Sequence, residues 1–240
     1  MAVPATGSAG TQPDSLLLSA APFPPVTRGW PAIPVSGLAL VLFLIAHLAA
    51  LTVALVDPAG FEAWAALLHR QPWLPAFELL LAAALLVHPL LALVRSLVNR
   101  LARGPAAAPL RSRRGGGLDG AAALAAWSLP WSGALLLLFV VVHLLQLRLP
   151  RPAAGAELAV VRQVLGQPAS LVLYVLAGLA VGLHLLHGHE SAHRSLGWLD
   201  PANGARIRKV GRALALLLGG GFTLLPLALA MAARMPGGLP

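Results

Sequence analysis

The chain has 240 residues, 58% of them hydrophobic and only 10% charged, with a mean hydropathy of +0.80. Soluble domains carry about 25% charged residues, so this composition excludes one and points to an integral membrane protein. Cysteine is absent, which excludes disulfides, thiolate metal sites and iron–sulfur clusters held by this chain.

Residues 1–28 are rich in Pro, Ala and Ser and lack the basic segment and apolar core of a signal peptide, so they read as a loosely ordered cytoplasmic lead. Residues 29–234 then contain five apolar stretches at 35–56, 74–94, 121–147, 169–189 and 213–233. Each meets the about 20 residues that a helix needs to cross a bilayer core. The strands of a membrane barrel alternate in polarity over about ten residues, and these stretches do not. The expected fold is therefore all-α, a bundle of five transmembrane helices, followed by a short outer tail at 235–240.

Span one ends at Asp57-Pro58. The segment 60–70 places Phe61, Trp64, Ala65 and Leu68 on one helical face and predicts a short interfacial helix. Span three contains Pro130, where a kink is expected. A second interfacial stretch, 156–165, precedes span four. In that span Gly178 and Gly182 have the small-xxx-small spacing that lets helices approach closely. Span five carries Gly219-Gly220-Gly221 and Pro226, where a bend is expected.

The net charge of +9 does not indicate nucleic-acid binding, because the basic residues gather in alternate loops. Arg95, Arg100, Arg103, Arg111, Arg113 and Arg114 follow span two, and Arg194, Arg206, Arg208, Lys209 and Arg212 follow span four. The opposite side has Arg70, Arg148, Arg151, Arg162 and Arg234. By the positive-inside rule the N-terminus is cytoplasmic and the C-terminus outside.

The sequence around span one, Ser36-Gly37 to Phe43 to His47, recurs in span three as Ser132-Gly133 to Phe139 to His143. On a helix these offsets fall along one side. His47 and His143 lie in the outer halves of their spans, and His88 and His184 lie in the inner halves of spans two and four. At about 1.5 Å per residue the two levels are roughly 15 Å apart. Ionisable groups are costly and rare in a bilayer, yet four occur at paired depths. A neutral imidazole ligates haem iron well, and two on facing helices give a six-coordinate electron-transfer haem. Two b-type haems, one above the other, form a wire between the membrane faces. The second nitrogen of each ring then needs an acceptor, which sequence does not assign.

Five spans with histidines in the first four resemble the di-haem, single-subunit cytochrome b anchor of bacterial succinate:quinone oxidoreductases. The likeness is sharpest in GLHLLHGHESAHRSLG, residues 182–197, where His184, Gly188 and Gly197 fit the spacing of the family's ligand histidine and later glycines. His187, one turn on, remains the alternative ligand. The resemblance covers roughly residues 30–233. It implies that His88 and His184 bind the haem proximal to the cytoplasmic subunits and that His47 and His143 bind the distal one. It also implies an FAD-bearing flavoprotein and an iron–sulfur subunit as partners, with quinone exchanging electrons in a bacterial cytoplasmic membrane. The dicarboxylate chemistry of succinate dehydrogenase or fumarate reductase resides in those partners. The chain departs from related ones at Leu129-Pro130, where a basic or amide residue is frequent, and at Leu51, where Asn is frequent. Arg28, Arg95 and Arg194, near the membrane edges, are candidates for haem propionates. Glu78 lies ten residues before His88, as in one branch of the family, and is the candidate for proton exchange with quinone near the outer haem.

A competing motif is His189-Glu190-Ser191-Ala192-His193, a literal H-E-x-x-H. With Leu118-Asp119-Gly120 it is similar to the motif pair of intramembrane site-2 zinc proteases, but in the reverse order. It is expected past the end of span four, close to water. Five apolar spans are also compatible with a different di-haem membrane cytochrome, such as the anchor of a hydrogenase or nitrate reductase, and with a cofactor-free bundle.

Overall fold

A computed structural model of the chain describes residues 31–103, 119–150 and 152–233. The lead at 1–28 with Arg28, residues Arg111, Arg113, Arg114 and Leu118 of the arginine loop, Arg151, Arg234 and the tail at 235–240 lie outside the described residues. Among the described residues the elements are α1 (Ala32–Val56), α2 (Pro58–His69), α3 (Leu74–Arg103), α4 (Asp119–His143), α5 (Glu157–Gly166), α6 (Pro168–Ser195) and α7 (Gly204–Ala232), with no strand. A π-helical turn, Leu144–Arg148, continues α4. Helices α1, α3, α4 with its π turn, α6 and α7 are each long and apolar enough to cross a membrane. The protein is an all-α, multi-pass membrane protein. Without water in the bilayer core each span must satisfy its own backbone, and a helix does so within one segment.

The spans are longer than their apolar stretches. Helix α3 continues through Arg95 to Arg103, α6 continues through the HESAH segment to Ser195, and α7 begins at Gly204, before Arg206. Leu, Ala and Arg are good helix formers, so the backbone has no reason to stop where polarity changes. What stops α6 is Gly197, with φ of 74°. The Gly197 N–H donates to Arg194 O at 3.2 Å and the Trp198 N–H to His193 O at 2.9 Å, and the Trp198 ring lies against His193. This is a Schellman end with its customary side-chain contact. Pro89, Pro130 and Pro226 all lie inside helices.

Short helices are present at both places expected to be interfacial, as α2 and α5. The Asp57 carboxylate caps α2 by accepting from the Gly60 N–H at 2.9 Å, and Pro58 occupies the first turn, where its missing N–H is harmless. Phe61 and Ala65 are buried against the rest of the protein, whereas Trp64 is exposed. Helices α2 and α5 meet through Glu62, whose carboxyl oxygens accept from the N–H groups of Leu158 (2.7 Å) and Glu157 (3.3 Å) in the first turn of α5.

The tightest packing joins α6 and α7. A Cβ on Gly219 would come 2.6 Å from Gly182 Cα, and one on Gly178 would come 2.5 Å from the backbone of Phe222 and Thr223. The close approach expected from Gly178 and Gly182 is thus realised against α7. Thr223 adds a hydroxyl bond to Gly219 O at 2.6 Å. Around this seam lie Val181, Leu185, Ala215 and Leu218. A second cluster, Ala54, Phe61, Leu158, Leu165, Leu225, Leu229 and Ala230, ties α2 and α5 to the spans. The remaining principal contacts are α1 with α3 and α4 with α6.

Candidate functional site

The two helix pairs α1/α3 and α4/α6 are built alike. Ser36, His47 and His88 of the first recur 96 positions later as Ser132, His143 and His184 of the second. Five successive spans must alternate in direction across a membrane, so the pairs run the same way and like residues reach the same level.

The histidines meet between the pairs. His47 of α1 faces His143 of α4 with ring centres 6.2 Å apart and planes crossed at 83°. His88 of α3 faces His184 of α6, also at 6.2 Å, with planes crossed at 68°. The structure thus brings together the two residues expected at one level and, separately, the two expected at the other, and it places His184 opposite His88. A metal ion held between two imidazole nitrogens, each about 2.0 Å away, keeps the ring centres about 6 Å apart. Both separations fit an iron held between two imidazoles, so these residues are the ones that could hold such a group.

The second ring nitrogens support the same arrangement. The Nδ1 of His88 is 3.1 Å from the Ile33 carbonyl oxygen and 3.3 Å from Ser36 Oγ. A carbonyl only accepts, so this nitrogen carries the proton. The Nδ1 of His184 lies 3.3 Å from Ser132 Oγ, whose own hydrogen goes to Leu129 O at 3.0 Å. Its hydroxyl oxygen is left to accept from the imidazole. The Nδ1 of His143 is 3.2 Å from Tyr174 OH, which donates to Gln146 Oε1 at 3.3 Å. In all three rings Nδ1–H is engaged and Nε2 keeps its lone pair, the state that metal ligation requires. His47 is sandwiched instead, by Phe43 at 5.2 Å and Phe222 of α7 at 6.1 Å.

The Ser-Gly dipeptides acquire a local reason. Ser36 and Ser132 are buried and bond the inner histidines of the neighbouring helices. Gly37 and Gly133 let those rings approach: a Cβ would lie 3.0 Å from His88 Cε1 at the first and 3.6 Å from His184 Cε1 at the second. Gly188, one turn beyond His184, has that ring's Cδ2 as nearest neighbour at 4.0 Å and leaves its flank open. The sequence shows the repeated serines without their partners and does not single out Tyr174 or Gln146. One signal points to Tyr174: it stands ten residues before His184, as Glu78 stands ten before His88.

Glu78 is joined to Arg148 in the π turn, with its Oε1 accepting from Nε at 3.0 Å and also from the terminal guanidinium nitrogen. This ion pair ties the N-terminal end of α3 to the π-helical turn that ends α4. The HESAH segment lies inside α6, because the helix continues past the expected span to Ser195. His189 is buried against Gly211 of α7, His193 Nδ1 bonds the His189 carbonyl at 2.9 Å, and Glu190 pairs with Arg194 at 2.8 Å. The His189 and His193 rings lie 4.4 Å apart, and His189 Nδ1 is buried without a hydrogen-bond partner among the described residues. No family model matches the chain, and no match was found among curated proteins or solved structures.

Proposed function

We propose that this protein is a di-haem cytochrome b membrane anchor of the succinate:quinone oxidoreductase type, passing electrons between an iron–sulfur subunit and membrane quinone. The observation that carries the proposal is the pair of facing histidine couples, each with ring centres 6.2 Å apart. Haem iron would supply a one-electron carrier at each level. His88 and His184 would hold the inner, proximal group, with His187 the alternative to His184; His47 and His143 would hold the outer, distal one. Ser36, Ile33 O and Ser132 fix the inner rings through Nδ1, Tyr174 fixes His143, and Phe43 and Phe222 wedge His47. Glu78, in its ion pair with Arg148, is the outer carboxylate that exchanges protons with quinone.

In this proposal the arginine-rich ends of α3, α6 and α7 face the cytoplasm of a bacterial cell. There the iron–sulfur subunit docks, and the FAD-bearing flavoprotein lies beyond it. The chain is thus the non-dicarboxylate subunit of an enzyme complex.

The test is a dithionite-reduced minus oxidised spectrum of the purified protein with pyridine haemochrome and zinc quantified on the same sample. Two b haems per chain and no zinc are expected, together with succinate-dependent quinone reduction by membranes that contain the whole complex. A colourless protein produced with adequate haem overturns the cytochrome. Two haems without coupling to succinate leave a di-haem cytochrome serving a different donor.

A further inference from the structure

The structure assigns to Tyr174 a positioning role: through a hydrogen-bonded chain with Gln146 and Ser170 it fixes His143 and makes the outer histidine pair electronically distinct from the inner pair. The inference rests on the proposal that both pairs hold haem.

The chain of bonds has one direction. Gln146 Nε2 donates to Ser170 Oγ at 2.9 Å, which turns Gln146 Oε1 toward Tyr174 OH. The tyrosine hydrogen goes to that oxygen, so the phenol oxygen accepts from His143 Nδ1–H. Phe139 meets the Tyr174 ring edge-on at 4.9 Å and lies 5.4 Å from the His143 ring, which restrains both. Gln146 lies within the π-helical turn that begins directly after His143, and such turns recur at functional sites.

The same position in the first half of the repeat does something else. Glu78 stands 96 residues before Tyr174, and its carboxylate is committed to Arg148. The inner imidazoles, for their part, meet a backbone carbonyl and a serine hydroxyl. Tyr174 is also the chain's single tyrosine. Among the described residues only the outer pair has a phenol on a ligand's Nδ1.

An acceptor on Nδ1–H makes an imidazole a more basic ligand and favours the oxidised metal. Removing it raises the midpoint potential of that centre. The experiment is a redox titration of the purified full-length haem protein, followed optically, in wild type, Tyr174→Phe and Gln146→Leu. His47→Ala identifies the outer centre by the wave it removes. Tyr174→Phe is expected to keep both haems and move the outer wave upward while the inner wave stays in place. Gln146→Leu, which leaves the phenol but removes its acceptor, is expected to move the outer wave less, in the same direction. Waves that stay in place, or that move together, overturn the positioning role while leaving the di-haem proposal standing. If Tyr174→Phe does not fold, an unmoved outer wave in Gln146→Leu overturns it. A colourless wild type overturns the haem proposal itself and this inference with it.

Discussion

At the scale of single residues, the two Ser-Gly dipeptides are alike in sequence and unequal in space. A methyl at Gly37 would press on the His88 ring at 3.0 Å, whereas one at Gly133 would make ordinary contact with His184 at 3.6 Å. Gly37→Ala is therefore expected to lower occupancy of the inner centre, and Gly133→Ala to leave it near wild type, by pyridine haemochrome on purified protein. Equal loss in both variants would contradict the packing. Ser132→Ala removes the only acceptor described for His184 Nδ1, and loss of such a partner typically costs about 10–100-fold in metal affinity. Haem retention during dilution measures it. The serines, glycines and four histidines were legible as a repeated pattern. Tyr174 and Gln146 were not, because a polar residue near a span end ordinarily snorkels to water, and only helix rotation shows that these two turn toward His143.

At the scale of helices, the α6–α7 seam and the α2–α5 contact respond to different perturbations. Gly219→Leu drives a side chain into Gly182 and should lower stability by about 1–3 kcal/mol, the usual cost of overpacking, read as a lower melting temperature in detergent. The α2–α5 contact responds to pH. Burial, then a hydrogen bond to Glu157, raises the pKa of Glu62. Burial also acts to raise Glu157, but hydrogen bonds from Glu62, from its own N–H and from the Gly155 N–H, with His69 nearby, hold it below the usual carboxylate range. The Glu62 contribution is full at low pH and is lost as pH rises through its raised value. The Glu157 contribution is full above the ordinary range and is lost as pH falls through its depressed value. The contact is thus strongest near the ordinary carboxylate range and weakens in both directions. Glu62→Gln is expected to abolish the alkaline loss and keep the acid one, measured as amide exchange in α5 across pH. The existence of both short helices was legible from their amphipathic spacing; the carboxyl pair was not, since its members lie 95 positions apart.

At the scale of the whole molecule, the absence of cysteine gives a clean test of orientation. Ala154→Cys, exposed before α5, should react with an impermeant thiol reagent on intact cells, whereas Ala202→Cys, exposed before α7, should react only after lysis. The reverse labelling would invert the proposed topology.

The sequence by itself determined the class of protein, the number of spans and the two histidine levels, because bilayer thickness and self-satisfied backbone leave an apolar stretch of that length one conformation. It also contained the repeat that makes the two halves alike. Only the tertiary structure decided which histidine faces which, that His184 stands opposite His88, which atoms meet the Nδ1 of His88, His143 and His184, and that His189 is packed against α7. Those outcomes depend on the rotation of each helix about its axis and on the distance between axes. Glycine contacts such as Gly182 with Gly219 set both through packing between segments remote in the chain.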